Sequence, residues 1–324
     1  MITLEAVVET WPIRGEFTIA RGSKTEARVV VVRLDHGMGR GECVPYARYG
    51  ETVEGVLEQI ASMKREVERG CGREGLQALL PPGAARNAID CALWDLEAKR
   101  SGVRAWEAAG LARLDPVKTA YTLSLDTPEA MAEAARANAR RPILKLKIGS
   151  ADDLDRVEAV RAAAPLTRLI LDANEGLAFD ELKRLAPEFA RLDVKLIEQP
   201  LKVVEDEQLE GFDSPVPLCA DESLHSRAEL GACARRYDYV NIKLDKTGGL
   251  TEALALKAEA RALGVEIMVG CMVATSLSMA PAVLLAQGVQ FVDLDGPLLL
   301  DRDRNPGLNY LGSMIEPPSP ALWG

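Results

Sequence analysis

Ile143-Leu144-Lys145-Leu146-Lys147-Ile148 is an apolar run with two lysines set into it two positions apart. The side-chain period of a strand puts both lysines on one face. A buried strand does not carry unpaired ammonium groups without cause, because each costs several kcal/mol. The pattern recurs downstream. Residues 168–172 (RLILD) run into Ala173-Asn174, 194–198 (VKLIE) into Gln199-Pro200, and 217–221 (PLCAD) into Glu222-Ser223. Residues 239–244 (YVNIKL), 265–271 (VEIMVGC) and 289–295 (VQFVDLD) follow, and 117–123 (VKTAYTL) precedes them all, giving eight strand-like runs. Stretches rich in Ala, Leu, Glu and Arg separate most of them; Leu250, Leu254, Ala258 and Ala262 step by four along one helix face. The segment between the fourth and fifth runs has the weakest helical pattern. Alternating strands and helices imply parallel pairing, and eight repeats imply a closed barrel rather than a doubly wound open sheet.

Upstream the pattern is α+β. Residues 3–11, 16–20 and 28–34 read as strands, 35–41 as a glycine-rich hairpin connection, and 52–69 and 84–101 as helices parted by Pro81-Pro82-Gly83. The expected division is 1–112 as a first domain and 113–300 as the barrel, with the Pro-rich tail 301–324 returning to the first domain.

The 324 residues hold 39 Lys and Arg against 49 Asp and Glu, a net charge of −10. That disfavours nucleic acid and anionic membrane as partners, which need a basic face. Residues 267–292 carry no charge, yet Gly270, Pro281, Gln287, Gly288 and Gln290 interrupt them, and they read as a buried strand–helix–strand unit rather than a membrane span. The six cysteines include no C-x-x-C pair, and Glu5 and Glu9 break the apolar start, so reduced thiols in the cytoplasm are expected. Two histidines make a His-rich zinc site improbable. No G-x-S-x-G elbow or Walker A loop occurs, and Gly37-x-Gly39-x-Gly41 lacks the dinucleotide spacing.

The polar strand ends carry the chemistry. The steps are 25 residues from Lys147 to Asp172, 26 to Glu198, 23 to Asp221 and 22 to Lys243, about one βα unit each. A barrel gathers such residues at one mouth, where barrel active sites lie. Asp172, Glu198 and Asp221 repel one another unless a cation sits between them, and oxygen-only ligands suit Mg²⁺ or Mn²⁺. The bland alternative pairs each with a lysine or uses it as a helix cap. Lys145 and Lys147 point into the mouth, where like charge and a metal favour a neutral, basic amine. Lys243 comes from across the barrel. Two lysines facing one carbon allow proton removal on one face and delivery on the other, the geometry of a racemase or epimerase.

Lys145-x-Lys147, Asp172-Ala-Asn, Glu198-Gln-Pro, Ala-Asp221-Glu-Ser and Asn241-Ile-Lys243-Leu-Asp-Lys-Thr-Gly-Gly resemble, in order and spacing, the enolase superfamily in its muconate-lactonizing subgroup. The helix AARNAIDCALWDLEAK resembles it too. The resemblance implies an α/β fold: a (β/α)7β TIM-like barrel with an N-terminal α+β capping domain. It also implies one Mg²⁺ per chain on Asp172, Glu198 and Asp221, with Asn174 and Gln199 orienting the ligands and Asp245 structural. Within the superfamily, Asp293-x-Asp295-Gly-Pro, residues 20–27 and residues 45–51 resemble the dipeptide epimerases. That implies Asp293 and Asp295 on the substrate α-ammonium, Arg21 and Lys145 toward its side-chain carboxylate, and Thr122, Cys271 and Met272 lining the pocket. The expected substrate is L-Ala-D/L-Glu, in peptidoglycan peptide metabolism, with Lys147 and Lys243 as bases; a homo-oligomer is compatible. Another dipeptide specificity is the nearest alternative. β-Elimination of the o-succinylbenzoate synthase kind, cycloisomerisation and N-acylamino-acid racemisation offer no ammonium to Asp293 and Asp295. A Schiff-base aldolase needs one lysine and no metal, and a non-catalytic scaffold leaves the lysine pair unused.

Overall fold

The computed structural model describes residues 2–150 and 152–324. β1 (Leu4–Ile19), β2 (Gly22–Leu34) and β3 (Gly39–Cys43) form an antiparallel sheet in that order. The two short strands expected at 3–11 and 16–20 are one strand, whose pairing with β2 shifts register between Pro12 and Phe17. Pro12 has no N–H for the ladder, and Gly15 at φ 76° supplies the turn of a bulge. Val30, Val32 and Leu34 of β2 pack on the helices behind the sheet, whereas Val29 and Val31 join the barrel's core cluster. A strand covered on both faces reads as continuous valine, as VVVV does here. Gly39 and Gly41 have a second role beside the hairpin: a Cβ at Gly41 would lie 2.1 Å from the carbonyl oxygen of Ala88. The long helix Ala84–Ser101 rests directly on the backbone of β3. The helix expected over 52–69 breaks at Met63 into Val53–Ser62 and Lys64–Glu68, and Arg73–Leu79 adds a turn before Pro81.

The remaining strands are β4 (Val117–Lys118), β5 (Tyr121–Leu123), β6 (Ile143–Lys147), β7 (Arg168–Asp172), β8 (Val194–Glu198), β9 (Leu218–Ala220), β10 (Tyr239–Ile242), β11 (Glu266–Gly270), β12 (Phe291–Asp293), β13 (Tyr310–Leu311) and β14 (Met314–Ile315). β5 to β12 form one eight-stranded sheet in sequence order, with parallel pairing. The seam closes through Ala120 N–H to the Val292 carbonyl at 2.8 Å. The run 117–123 splits: Val117 and Lys118 leave the barrel and pair with β14 of the tail. Between β8 and β9 lies a 3₁₀ segment, Val203–Leu209, consistent with its adjacent β-branched Val203 and Val204. The uncharged window 267–292 is β11, the helix Ser276–Leu285 and the start of β12; among the described residues no helix is long and apolar enough to cross a membrane.

The tail seals the first domain. Trp323 is fully buried and donates its indole N–H to Cys91 O at 3.0 Å, and Gly324 N–H bonds Asp95 Oδ1 at 2.7 Å. Buried Glu42 of β3 accepts from Thr275 N at 2.8 Å and from Arg304 Nε at 3.0 Å, joining sheet, barrel and tail in one network.

Asp245 is a second tie. Its Oδ1 accepts from Val44 N at 3.0 Å and Asn87 Nδ2 at 2.8 Å. Burial pushes its carboxyl up to about 7, against the lowering effect of those two bonds. A carboxyl raised above its unfolded value holds a proton in the native state that the unfolded chain has released. Its stabilising contribution is therefore full below about pH 4 and is lost as pH rises toward about 7. Asp245→Asn keeps the acceptor and removes the charge. The variant is expected to be more stable than the parent at pH 8, by at most about 4 kcal/mol, with the gap closing near pH 4. Urea unfolding at the two pH values checks this; a less stable variant at pH 8 contradicts it.

Candidate active site

The barrel interior is layered by the strand period of two. Ala120, Ile143, Ile170, Leu196, Cys219, Tyr239, Met268 and Phe291 form a buried apolar cluster at the base, one residue from each strand or its start. Two positions further on, each strand presents the next inward residue: Thr122, Lys145, Asp172, Glu198, Asp221, Asn241, Gly270 and Asp293. Lys147, Asn174, Lys243, Met272 and Asp295 follow at the mouth. This register explains why the charges recur once per βα unit.

Lys145 is 1% exposed. Its ammonium lies 2.7 Å from Asp293 Oδ2, 2.7 Å from Glu198 Oε2 and 3.0 Å from Asp172 Oδ2. Carboxylates from three other strands enclose its ammonium. Lys147 Nζ donates to Asp172 Oδ2 at 2.6 Å and Asn174 Oδ1 at 3.2 Å. Lys243 Nζ donates to Asp221 Oδ2 at 2.6 Å, and Lys246 Nζ to Asp221 Oδ1 at 2.6 Å. β6 and β10 stand four strands apart in a ring of eight, so Lys147 and Lys243 approach from opposite walls. Gly270 makes room for this, since a Cβ there would meet Lys243 Cε at 3.0 Å.

Asp172 and Glu198 are register partners on β7 and β8, and Asp221 follows β9 on the next strand. Burial raises the Asp172 carboxyl, but Lys145 and Lys147 outweigh it and hold it below the usual range. Burial and the Asp172 charge push Glu198 up to about 7. Asp221 lies well below the usual range because Lys243 and Lys246 overcome its burial. In return the carboxylates favour the ammonium form of Lys145 and Lys243, despite burial. The neutral amine expected from the sequence for Lys145 and Lys147 supposes a cation among these carboxylates; without one, lysines carry the charge balance. Lysine ammoniums stand between the carboxylates, and among the described residues no three such ligands close around one point. The donor set nevertheless fits a hard divalent cation. It is all oxygen and buried, and carboxylates at the ends of three successive strands supply it.

A cavity of about 790 Å³ opens above this layer. Lys147, Lys243 and Asp221 line it, and so do all seven residues expected at the substrate: Arg21, Thr122, Lys145, Cys271, Met272, Asp293 and Asp295. Asp295 Oδ2 accepts from Thr122 N at 2.6 Å, and burial with the neighbouring Asp293 pushes it up to about 7. Asp293 Oδ1 is buried and has no partner among the described residues. Gln199, at φ 35°, accepts from Asp221 N at 2.8 Å and donates to Ser223 Oγ at 2.8 Å, which fixes the start of the Asp221 loop.

Several cavity residues escaped the sequence reading. Arg48 donates to both oxygens of Glu175, at 2.7 and 2.6 Å, and so latches the loop after β3 to the loop after β7. Lys24 lies over the Tyr46 ring at 5.1 Å and lines the cavity without a carboxylate partner among the described residues. His225 lies outside this cavity. It precedes the helix Arg227–Cys233 and stacks edge-on against Tyr49 at 4.6 Å.

The chain matches two family descriptions: "Mandelate racemase / muconate lactonizing enzyme, N-terminal domain" over residues 1–110 and "Enolase C-terminal domain-like" over residues 129–311. It is 47% identical to the L-Ala-D/L-Glu epimerase of Escherichia coli K12, over 96% of this chain and 98% of that one. It is 46% identical to an N-acetyl-D-glutamate racemase of a Pseudoalteromonas species, over 91% and 94%. Its fold superposes at TM-score 0.98 on an enolase family member from Agrobacterium tumefaciens with homology to dipeptide epimerases, crystallised with sodium, L-Ala-L-Glu and an ordered loop. That protein is 54% identical, with both chains covered in full. A dipeptide epimerase from Enterococcus faecalis, solved with Mg and L-Leu-L-Tyr, superposes at 0.90 with 27% identity over 98% and 97%. In fold, in layered site and in sequence over nearly its whole length, the chain belongs to the enolase superfamily, in the mandelate racemase/muconate lactonizing enzyme group.

Proposed function

We propose that this protein is a Mg²⁺-dependent dipeptide epimerase that inverts the α-carbon of the second residue of L-Ala-D/L-Glu. The observation that carries the reading is one cavity with Lys147 and Lys243 on opposite walls and the carboxylates Asp293 and Asp295 to one side. Lys147 and Lys243 serve as the two bases. One removes the α-proton, the other supplies a proton to the opposite face, and the roles exchange in the reverse direction. Asp172, Glu198 and Asp221 hold the Mg²⁺, which offsets the negative charge that grows on the substrate carboxylate as the α-proton leaves. Mn²⁺ suits the same oxygens. Lys145 stays with its three carboxylates and fixes their placement.

Asp293 and Asp295 receive the substrate ammonium. The unpartnered Asp293 Oδ1 and the raised Asp295 carboxyl are both relieved by a cation. At the other end, Arg21 and Arg48 pair with Glu175 and Glu222, and Lys24 lies over the Tyr46 ring. Lys24 is the unmatched charge, which suits an acidic side chain. The free thiols, four of them buried, fit a reducing cytoplasm and the processing of peptidoglycan-derived peptides.

The N-acetyl-D-glutamate racemase relative favours a second reading, racemisation of an N-acylated acid. The two carboxylates at the amine end oppose it, because an acylated nitrogen brings no charge. With Mg²⁺, L-Ala-L-Glu is expected to exceed N-acetyl-L-glutamate in kcat/KM by at least ~100-fold. A preference for the N-acetyl compound overturns the dipeptide reading.

A further inference from the structure

Arg21 crosses the cavity mouth from the turn between β1 and β2. Its guanidinium donates to Asn174 O at 2.7 Å and Glu175 Oε2 at 3.3 Å. It also donates to Glu222 Oε1 at 2.7 Å and Tyr46 Oη at 3.3 Å. Asn174 is also the Lys147 partner, and Glu222 follows the Asp221 that holds Lys243. The Arg21–Glu222 pair therefore bridges the two lysine walls of the cavity. Glu222 is a buried carboxylate, its side chain 1% exposed. It lines the cavity, and its Oε2 has no hydrogen-bond partner among the described residues.

We propose that Glu222 is a latent subsite for a cationic side chain on the second residue, and that Arg21 masks it. On this account, which rests on the dipeptide reading above, Arg21 sets acid preference partly by occupying Glu222. Without Arg21, Glu222 keeps only Asn174 Nδ2, at 3.4 Å, and a buried carboxylate stripped of its charged partner is strongly destabilised. A substrate ammonium or guanidinium then restores the lost pairing. The same group is rejected by the parent, where it meets the Arg21 guanidinium.

The test compares kcat/KM for L-Ala-L-Glu and L-Ala-L-Lys with Mg²⁺, by α-proton exchange, in the parent and three variants. Arg21→Met is expected to raise activity on L-Ala-L-Lys about tenfold and to shift the Lys-over-Glu ratio by at least ~100-fold. Arg21→Met/Glu222→Gln is expected to lose that gain. Arg21→Lys retains a cation on Glu222 and is expected to show no such gain on L-Ala-L-Lys. An unchanged Lys-over-Glu ratio in Arg21→Met overturns the proposal, as does a gain that Arg21→Lys shows equally or that survives Glu222→Gln. A parent active on L-Ala-L-Glu keeps the dipeptide reading in either case; a parent inactive on every dipeptide sinks both.

Discussion

Replacing Lys147 with alanine is expected to abolish net epimerisation while leaving α-proton exchange intact for one of the two substrate epimers. Lys243→Ala should give the mirror result. The argument is geometric: β6 and β10 face each other across the barrel, so each lysine reaches one face of a carbon held between them. Removing a positioned base costs on the order of 10³-fold or more in the step it serves. The variants should remain folded, because neither carboxylate is left alone. Asp172 keeps Lys145 at 3.0 Å, and Asp221 keeps Lys246 at 2.6 Å. Exchange in D₂O from L-Ala-L-Glu and L-Ala-D-Glu, measured separately, reads the outcome. If Lys147→Ala silences both epimers and Lys243→Ala neither, one lysine does all the chemistry and the two-base assignment is wrong.

Chelating the divalent metal is expected to lower turnover by at least ~10³-fold, and Mg²⁺ is expected to restore it. Asp172, Glu198 and Asp221 are buried together; burial, and after it the Asp172 charge, push Glu198 up to about 7, so ionising all three leaves an excess of negative charge among them. A divalent cation relieves that excess and takes over charge balance from the lysines, which frees Lys243 to act as a base. The same binding should raise the melting temperature, since Mg²⁺ at 100 times its Kd adds about 2.7 kcal/mol to folding. Full activity after chelation, with no thermal shift on adding Mg²⁺, contradicts the assignment.

The barrel was legible because βα units punctuate the sequence with charges at regular steps, and the strand period alone aims those charges inward. Lys147, Asp172 and Lys243 needed nothing beyond that register. The run 117–123 misled for a physical reason: Val117 and Lys118 pair with Ile315 and Met314, nearly two hundred residues away. Residues 203–209 gave little helical pattern and formed a 3₁₀ turn. Arg21 was legible as a cavity residue but not as a paired one, since Glu175 and Glu222 lie 154 and 201 positions from it. Lys24 stood beside it in the sequence and was passed over, because only the fold shows that Arg21 is occupied and Lys24 is not. Lys145, read as a partner for substrate, is surrounded by carboxylates from three other strands, a setting that no local pattern encodes.

The most direct test of the central claim is proton NMR of L-Ala-L-Glu in D₂O with the purified protein and Mg²⁺. The account predicts loss of the glutamate α-proton signal together with growth of the L,D diastereomer. No exchange and no second diastereomer, in protein shown to bind Mg²⁺, would contradict it.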